Sequence, residues 1–360
     1  MHYGLIMECD YRYGTSQEEA FDEAFAMSDT AEKGGLDGVW LAERHFAAPR
    51  SPLDGLGAGI PSVVSAPLII SAAIVARTER LRVGVAVNVL PLNHPVRMAE
   101  EIATLDQISH GRVDVGVGRS GFMRAYEGYD IPYTESRERF QENLEIILAA
   151  WTNERFSYEG KHYTFNDVCV IPKPYQDPHP PLRMAATTKE TFPQVGKLGY
   201  PVFVGLRGLD RPDLALLLDD YRKAWKDAGH AGEGDVFLRI PIFVGATQEG
   251  AYADAEESTM RSYRRMAQNF AASASNTGAT ADEDRAKRGE ALAAVTYQDL
   301  IRDRLAYGSP DGVIAQLKTI TQQLGLSGIV AETNVGGLIP REKVARSIDL
   351  FCKEVVPALR

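Results

Sequence analysis

One alternation runs the length of the chain: a short apolar run, a turn, an amphipathic helix, then another apolar run. Residues 3–8 (YGLIME), 37–43 (DGVWLAE), 82–91 (RVGVAVNVLP), 112–121 (RVDVGVGRSG), 182–187 (LRMAAT), 200–205 (YPVFVG), 236–245 (VFLRIPIFVG) and 326–332 (LSGIVAE) read as eight strands. Helical spacing fills the intervals at 17–34, 63–78, 93–111, 134–152, 189–199, 213–229, 310–325 and 341–359. Strands that alternate with helices pair in parallel through right-handed crossovers. Eight such units in 360 residues predict an α/β fold of the (β/α)8 TIM-barrel type, one domain over residues 1–360. The rival is an open doubly wound sheet, which favours a glycine-rich first turn; YGLIMECDYRYGTS at 3–16 has no GxGxxG.

Two segments break the rhythm. Residues 155–180, with FSYEGKHYTF and a proline run, read as an insertion built on a hairpin. Residues 250–305 are polar and alanine-rich, and read as plain surface or as a mobile cover for the site. Locally, Asn93 is placed to cap the helix that Pro95 begins and Gly111 ends.

The totals exclude several classes. A 44% hydrophobic and 24% charged composition is that of an ordinary globular protein. The net charge of −10 opposes binding to nucleic acid. Cys9, Cys169 and Cys352 are scattered and odd in number, which suggests neither a disulfide framework nor a zinc site. The start MHYGLIMECD lacks the form of a secretory signal, and the apolar run 66–76 is too short to span a bilayer. The expectation is a soluble cytoplasmic protein with no membrane or nucleic-acid partner.

In a parallel barrel, chemistry sits at the C-terminal ends of the strands. The second strand ends on Glu43, Arg44 and His45. Extended backbone puts Glu43 and His45 on one side and Arg44 on the other. Glu43 serves equally as an ion-pair partner or a functional acid, whereas His45 brings an imidazole, the side chain most used for acid–base work. The fourth strand ends on Arg119, a planar donor suited to phosphate, with Gly116, Gly118 and Gly121 allowing close approach of something flat. Thr187, Thr188 and Thr191 surround a helix start that reads either as a phosphate site or as a capping box between Thr187 and Glu190. The Glu43-x-His45 pair has no clear third metal ligand, and HExxH, GxSxG and P-loop motifs are absent.

AERHF at 42–46, VLPLNHPVRMAEEIATLDQISHGRVDVGVGRSG at 89–121 and GGLIPREKVARSIDLF at 336–351 together resemble the bacterial luciferase-like family of flavin-dependent monooxygenases. The resemblance covers nearly the whole chain and implies a (β/α)8 barrel with insertions. It also implies reduced FMN delivered by a transiently bound flavin reductase, molecular oxygen, a small organic substrate and a homodimer. It puts the flavin ring at Ala86 and Val87, where the family often has a cis peptide, followed by Asn88. It puts the phosphate at Arg119, Thr188 and Thr191, with the backbone of Gly121, and Thr187 joins the expected cofactor-binding residues from the helix start.

Two departures stand out. Luciferase itself has E-H-H-F where this chain has Glu43-Arg44-His45-Phe46, so Arg44 replaces the histidine taken as catalytic there. It also has an acid and a serine where Thr187 and Thr188 stand. The expectation is that His45 works as acid or base and that Arg44 stabilises a developing anion or binds an acidic substrate. The substrate-lining segments are expected at 47–63 and 155–180. The alternatives are a deazaflavin-dependent reductase or dehydrogenase, and a flavin-binding protein without turnover.

Overall fold

A computed structural model describes residues 1–10, 15–46, 62–274 and 282–360. The strands are β1 (His2–Met7), β2 (Gly38–Leu41), β3 (Arg82–Val89), β4 (Val113–Gly118), β5 (Phe156–Glu159), β6 (Thr164–Val168), β7 (Leu182–Ala185), β8 (Val202–Gly205), β9 (Val236–Val244), β10 (Ala306–Gly308) and β11 (Gly328–Glu332). Eight of them, β1-β2-β3-β4-β7-β8-β9-β11, form a parallel ring that closes where β9 meets β8 and β11 meets β1. This is the predicted (β/α)8 barrel. β5 and β6 form the expected antiparallel hairpin, and β10 adds to the far half of β9.

The ring is surrounded by α1 (Gln17–Lys33), α2 (Pro67–Arg77), α3 (Pro95–Ile108), α4 (Met123–Gly128), α5 (Ser136–Thr152), α6 (Thr191–Leu198), α7 (Arg211–Asp227), α8 (Gln248–Ala274), α9 (Asp282–Ala294), α10 (Tyr297–Asp303), α11 (Pro310–Leu324) and α12 (Arg341–Leu350). The last continues through one π turn into α13 (Val356–Leu359). Among the described residues no helix is long and apolar enough to cross a membrane.

Two local expectations fail for clear reasons. The described parts of 250–305 are mostly helical. Ala251, Ala255, Tyr263 and Ala267 of α8 are buried, but small alanines make a faint stripe that reads as polar surface. Asn93 does not cap α3, whose cap position is His94. Its amide instead donates to the Val89 carbonyl at 3.1 Å and to Glu43 at 3.4 Å.

Strand alternation divides the side chains between two cores. Outward residues such as Leu5, Val39, Val83, Val115, Leu182, Val204, Leu238 and Ile329 pack in the main cluster shared with the helices. Inward residues fill the barrel: Ile6, Trp40, Phe203, Phe237 and Val330 form a separate cluster, with Ala86 against it. The large rings fit because neighbours are small. A Cβ on Gly84 would lie 2.4 Å from Trp40, and one on Gly328 would lie 2.8 Å from Phe237. Below this layer Asp114 pairs with Arg82 at 2.5 Å and Arg183 at 2.6 Å, and Arg183 lies 3.7 Å over the Phe237 ring.

His2 is packed into that lower layer, 5.0 Å from the Phe237 ring, and its Nε2 accepts a hydrogen bond from the Trp40 indole at 3.3 Å. A ring nitrogen that accepts carries no proton. Burial accordingly pushes the imidazole down to about 4, against the opposing pull of Asp114. Folding therefore favours neutral His2, a contribution complete above the unfolded value near 6.5 and lost as pH falls from there to about 4. Urea titration should show stability falling by about 2 kcal/mol from this source between pH 7 and 4.5, with a smaller loss in His2→Gln. Equal acid sensitivity in the two proteins would contradict this.

Candidate active site

At the C-terminal mouth the inward positions turn from aromatic to charged. Glu8 follows Ile6 by two residues, Arg239 follows Phe237, Glu332 follows Val330, and Arg44 and Arg207 extend β2 and β8. Glu8 accepts from Arg44 at 2.9 Å, from Arg207 at 3.3 Å and from Arg239. Glu332 accepts from Arg239 at 2.8 Å and Arg207 at 3.1 Å. The two carboxylate side chains are only 9% and 7% exposed. Burial alone would raise the Glu8 carboxyl, but Arg44, Arg239 and Arg207 overcome it and hold the group well below the usual carboxylate range. Arg207 also donates to Ser262 of α8 at 2.6 Å, and Arg44 lies 4.6 Å over the Phe122 ring.

Above this network opens a cavity of about 430 Å³, within the range of small-molecule sites. Its wall includes Ala86, Val87, Gly121, Ala185, Thr187, Thr188 and Phe203. Four separate strand ends thus meet at one mouth. The Ala86–Val87 peptide is cis, as the resemblance implied. The β3–β4 register shifts between Val85 and Asn88, at the same place.

The other anticipated residues divide. Arg44 is on the cavity wall. His45 and Glu43 face the other way, as the alternation required, and are not on the wall. His45 Nε2 is 2.8 Å from Glu43, and its Nδ1 is 3.1 Å from the Tyr129 hydroxyl. Glu43 also accepts the Val89 backbone N–H at 2.8 Å, fixing the end of β3. Asn88 donates to the Gly116 carbonyl at 2.9 Å, and its side chain lies with residues of α2 and α3 behind the sheet. Arg119 reaches Ser136 at 3.4 Å, beside the mouth.

The glycines of β4 have a packing cause. A Cβ on Gly116 would meet the Val85 carbonyl at 2.3 Å, and one on Gly118 would meet Val87 at 2.5 Å. Only Gly121 of the three lines the cavity. The capping box is also absent. α6 starts at Thr191 with Glu190 in helical conformation and no side-chain cap. Thr188 instead bonds Thr191, hydroxyl to hydroxyl, at 2.9 Å.

Sequence reading missed a basic wall. Arg261 and Arg265 of α8 and Arg288 of α9 line the cavity, and Arg288 donates to the Thr187 carbonyl at 2.9 Å. Glu8, Arg207, Arg239 and Glu332 were missed as well. A signal existed for three of these: Glu8, Arg239 and Glu332 each occupy an inward position two residues beyond a core side chain.

The family model for luciferase-like monooxygenases matches residues 1–328. The chain belongs to the luciferase-like monooxygenase family. Among its relatives, the FMNH2-dependent dimethylsulfone monooxygenase of Pseudomonas putida is 28% identical over 304 residues, 81% of this chain and 77% of that protein. The monooxygenase RslO1 of Streptomyces bottropensis shares the fold at a TM-score of 0.80 and 24% identity, over the full length of both chains. A coenzyme F420-dependent tetrahydromethanopterin reductase of Methanopyrus kandleri shares it at 0.71 and 17% identity, covering all of this chain and 99% of that one. In this luciferase-like chain the mouth depends on its buried charges.

Glu8→Gln leaves three guanidiniums facing one remaining carboxylate of the network. Removing one partner of a buried pair costs about 3–5 kcal/mol. Denaturant unfolding of Glu8→Gln should show a loss of that order; a loss below about 1 kcal/mol would mean that the network contributes as little as a surface pair.

Proposed function

We propose that the chain is the oxygenase component of a two-component system, holding reduced FMN at the barrel mouth and oxidising a small organic substrate with molecular oxygen. The observation that carries this reading is one cavity with two unlike parts, an apolar patch and a cluster of hydroxyls beside a cation. Ala86, Val87, Ala185 and Phe203 give a surface suited to a flat ring system. Thr187, Thr188 and Arg288 give hydroxyls and a cation suited to a phosphate, close to the start of α6. Arg119 is a further cation of the same rim, and its part in phosphate binding requires its side chain to leave Ser136.

When bound, reduced FMN supplies the electrons that make dioxygen reactive towards the substrate. The likeness to the FMNH2-dependent dimethylsulfone monooxygenase supports delivery of the flavin already reduced, by a separate reductase. The residues of this chain bind, orient and exclude water. Arg44 offers the fixed donors of a guanidinium where a histidine would offer a titrating base. Glu8 and the Phe122 ring hold that guanidinium on the cavity wall. His45 acts as a positioning residue: it orients Glu43, which fixes the Val89 N–H beside the proposed ring site.

Anaerobic titration with reduced FMN and, separately, with a reduced deazaflavin tests the reading, followed by admission of oxygen. Reduced FMN should bind, and oxygen uptake should depend on it. Binding of the deazaflavin alone, without oxygen uptake, would favour the dehydrogenase reading. Arg288→Gln should weaken FMN binding by about tenfold, the usual worth of a charge-assisted hydrogen bond. An unchanged affinity by fluorescence titration would locate the phosphate elsewhere.

A further inference from the structure

We infer that Tyr129 is a positioning residue of the flavin site: its hydroxyl fixes the His45–Glu43 pair, and through that pair the end of β3 that borders the proposed ring site. This deepens the proposed function and rests on it. The Tyr129 hydroxyl lies 3.1 Å from His45 Nδ1, and the two rings meet edge to face with centroids 5.0 Å apart. His45 Nε2 lies 2.8 Å from one oxygen of Glu43, whose other oxygen accepts the Val89 N–H at 2.8 Å. Val89 stands two residues beyond Val87, which lines the cavity. A phenol, an imidazole, a carboxylate and a backbone amide thus form one chain.

The hydrogens follow from the group at the inner end. An ionised carboxylate only accepts, so the His45 nitrogen that faces Glu43 carries a hydrogen. In the neutral ring the other nitrogen is an acceptor, and the Tyr129 O–H is the donor that meets it. Burial, and after it the charge of Glu43, raise the Tyr129 hydroxyl above its ordinary value, so it keeps the proton it donates. The Glu43 and His45 side chains are only 4% and 9% exposed, whereas Tyr129 is 45% exposed. The outermost member of the chain therefore holds two buried ones. With the phenol oxygen gone, Nδ1 loses that partner and the ring is free to turn from Glu43.

Tyr129 is itself held in place. Its N–H donates to the Ala125 carbonyl at 3.2 Å, at the end of α4, and the buried Tyr126 hydroxyl donates to the Arg119 carbonyl just beyond β4. The Phe46 ring packs 5.2 Å from the Tyr129 ring and over Gly128, where a Cβ would lie 2.3 Å from it. Just before α4, Phe122 lies over Arg44 on the cavity wall. This short helix thus grips residues 44–46 from both sides and links the ends of β2, β3 and β4. Tyr129, His45 and Glu43 are not on the cavity wall, so the chain acts on a bound ring through the backbone of β3 and not by contact.

The test is Tyr129→Phe, which keeps the ring and removes only the hydroxyl. Amide hydrogen exchange of cofactor-free protein should be about threefold to tenfold faster at Val89, the usual worth of one hydrogen bond, and unchanged at Val85 of the same strand. The visible absorption band of bound FMN should shift, while FMN affinity stays within about threefold. His45→Ala should show the same two changes, and Tyr129→Phe should add nothing to them in the double variant, because the two residues act in one chain. Wild-type exchange at Val89 in Tyr129→Phe would overturn the inference, as would effects that add in the double variant. If His45→Ala fails to fold, exchange at Val89 in the single variant decides alone. If FMN fails to bind the wild-type protein, the proposed function falls, and the exchange arm still decides whether the hydroxyl holds the end of β3.

Discussion

Two carboxylates and three guanidiniums, buried together where the barrel opens, hold the mouth in shape. Glu8 continues β1, Arg44 follows β2, Arg207 follows β8, Arg239 belongs to β9 and Glu332 ends β11. The network therefore ties five strand ends across the lumen, in a place where an unpaired charge would be costly. Its geometry also provides a polar floor. Donors and acceptors are fixed before any ligand arrives, which is the condition for electrostatic preorganisation.

The layers below make such a mouth possible. Asp114 with Arg82 and Arg183 closes the opposite end, and Trp40, Phe203 and Phe237 fill the middle. Phe203 belongs both to this filling and to the cavity wall. The depth of the cavity is thus set by how the aromatic layer packs. The small residues opposite those rings, Gly84 and Gly328, leave the room they occupy. A substitution in the lumen acts on the site without touching a ligand.

The barrel was legible because eight short apolar runs stand apart from the helices of period 3.6 that separate them. The strand-end logic also held for Arg44, which faces the cavity, and for Glu43 and His45, which face away together. Ala86, Val87, Thr187 and Thr188 meet at one cavity because their strands end at the same level. Other features were hidden. Gly116 and Gly118 signalled close approach, but the approaching group is β3 itself. Arg261, Arg265 and Arg288 sit in alanine-rich helices whose buried stripe is weak, and nothing local says which face looks inward. Glu8 was read as the last residue of an apolar strand; its partners are 36 to 231 residues away in sequence, a relation visible only after closure.

The account's central claim is that this mouth receives FMN. A crystal structure of the protein soaked with FMN tests it most directly. The account predicts the ring system against Ala86 and Val87 and the phosphate within hydrogen-bond distance of Thr188 and Arg288. Flavin bound away from the mouth, or with its phosphate turned towards Arg261 and Arg265, would contradict it.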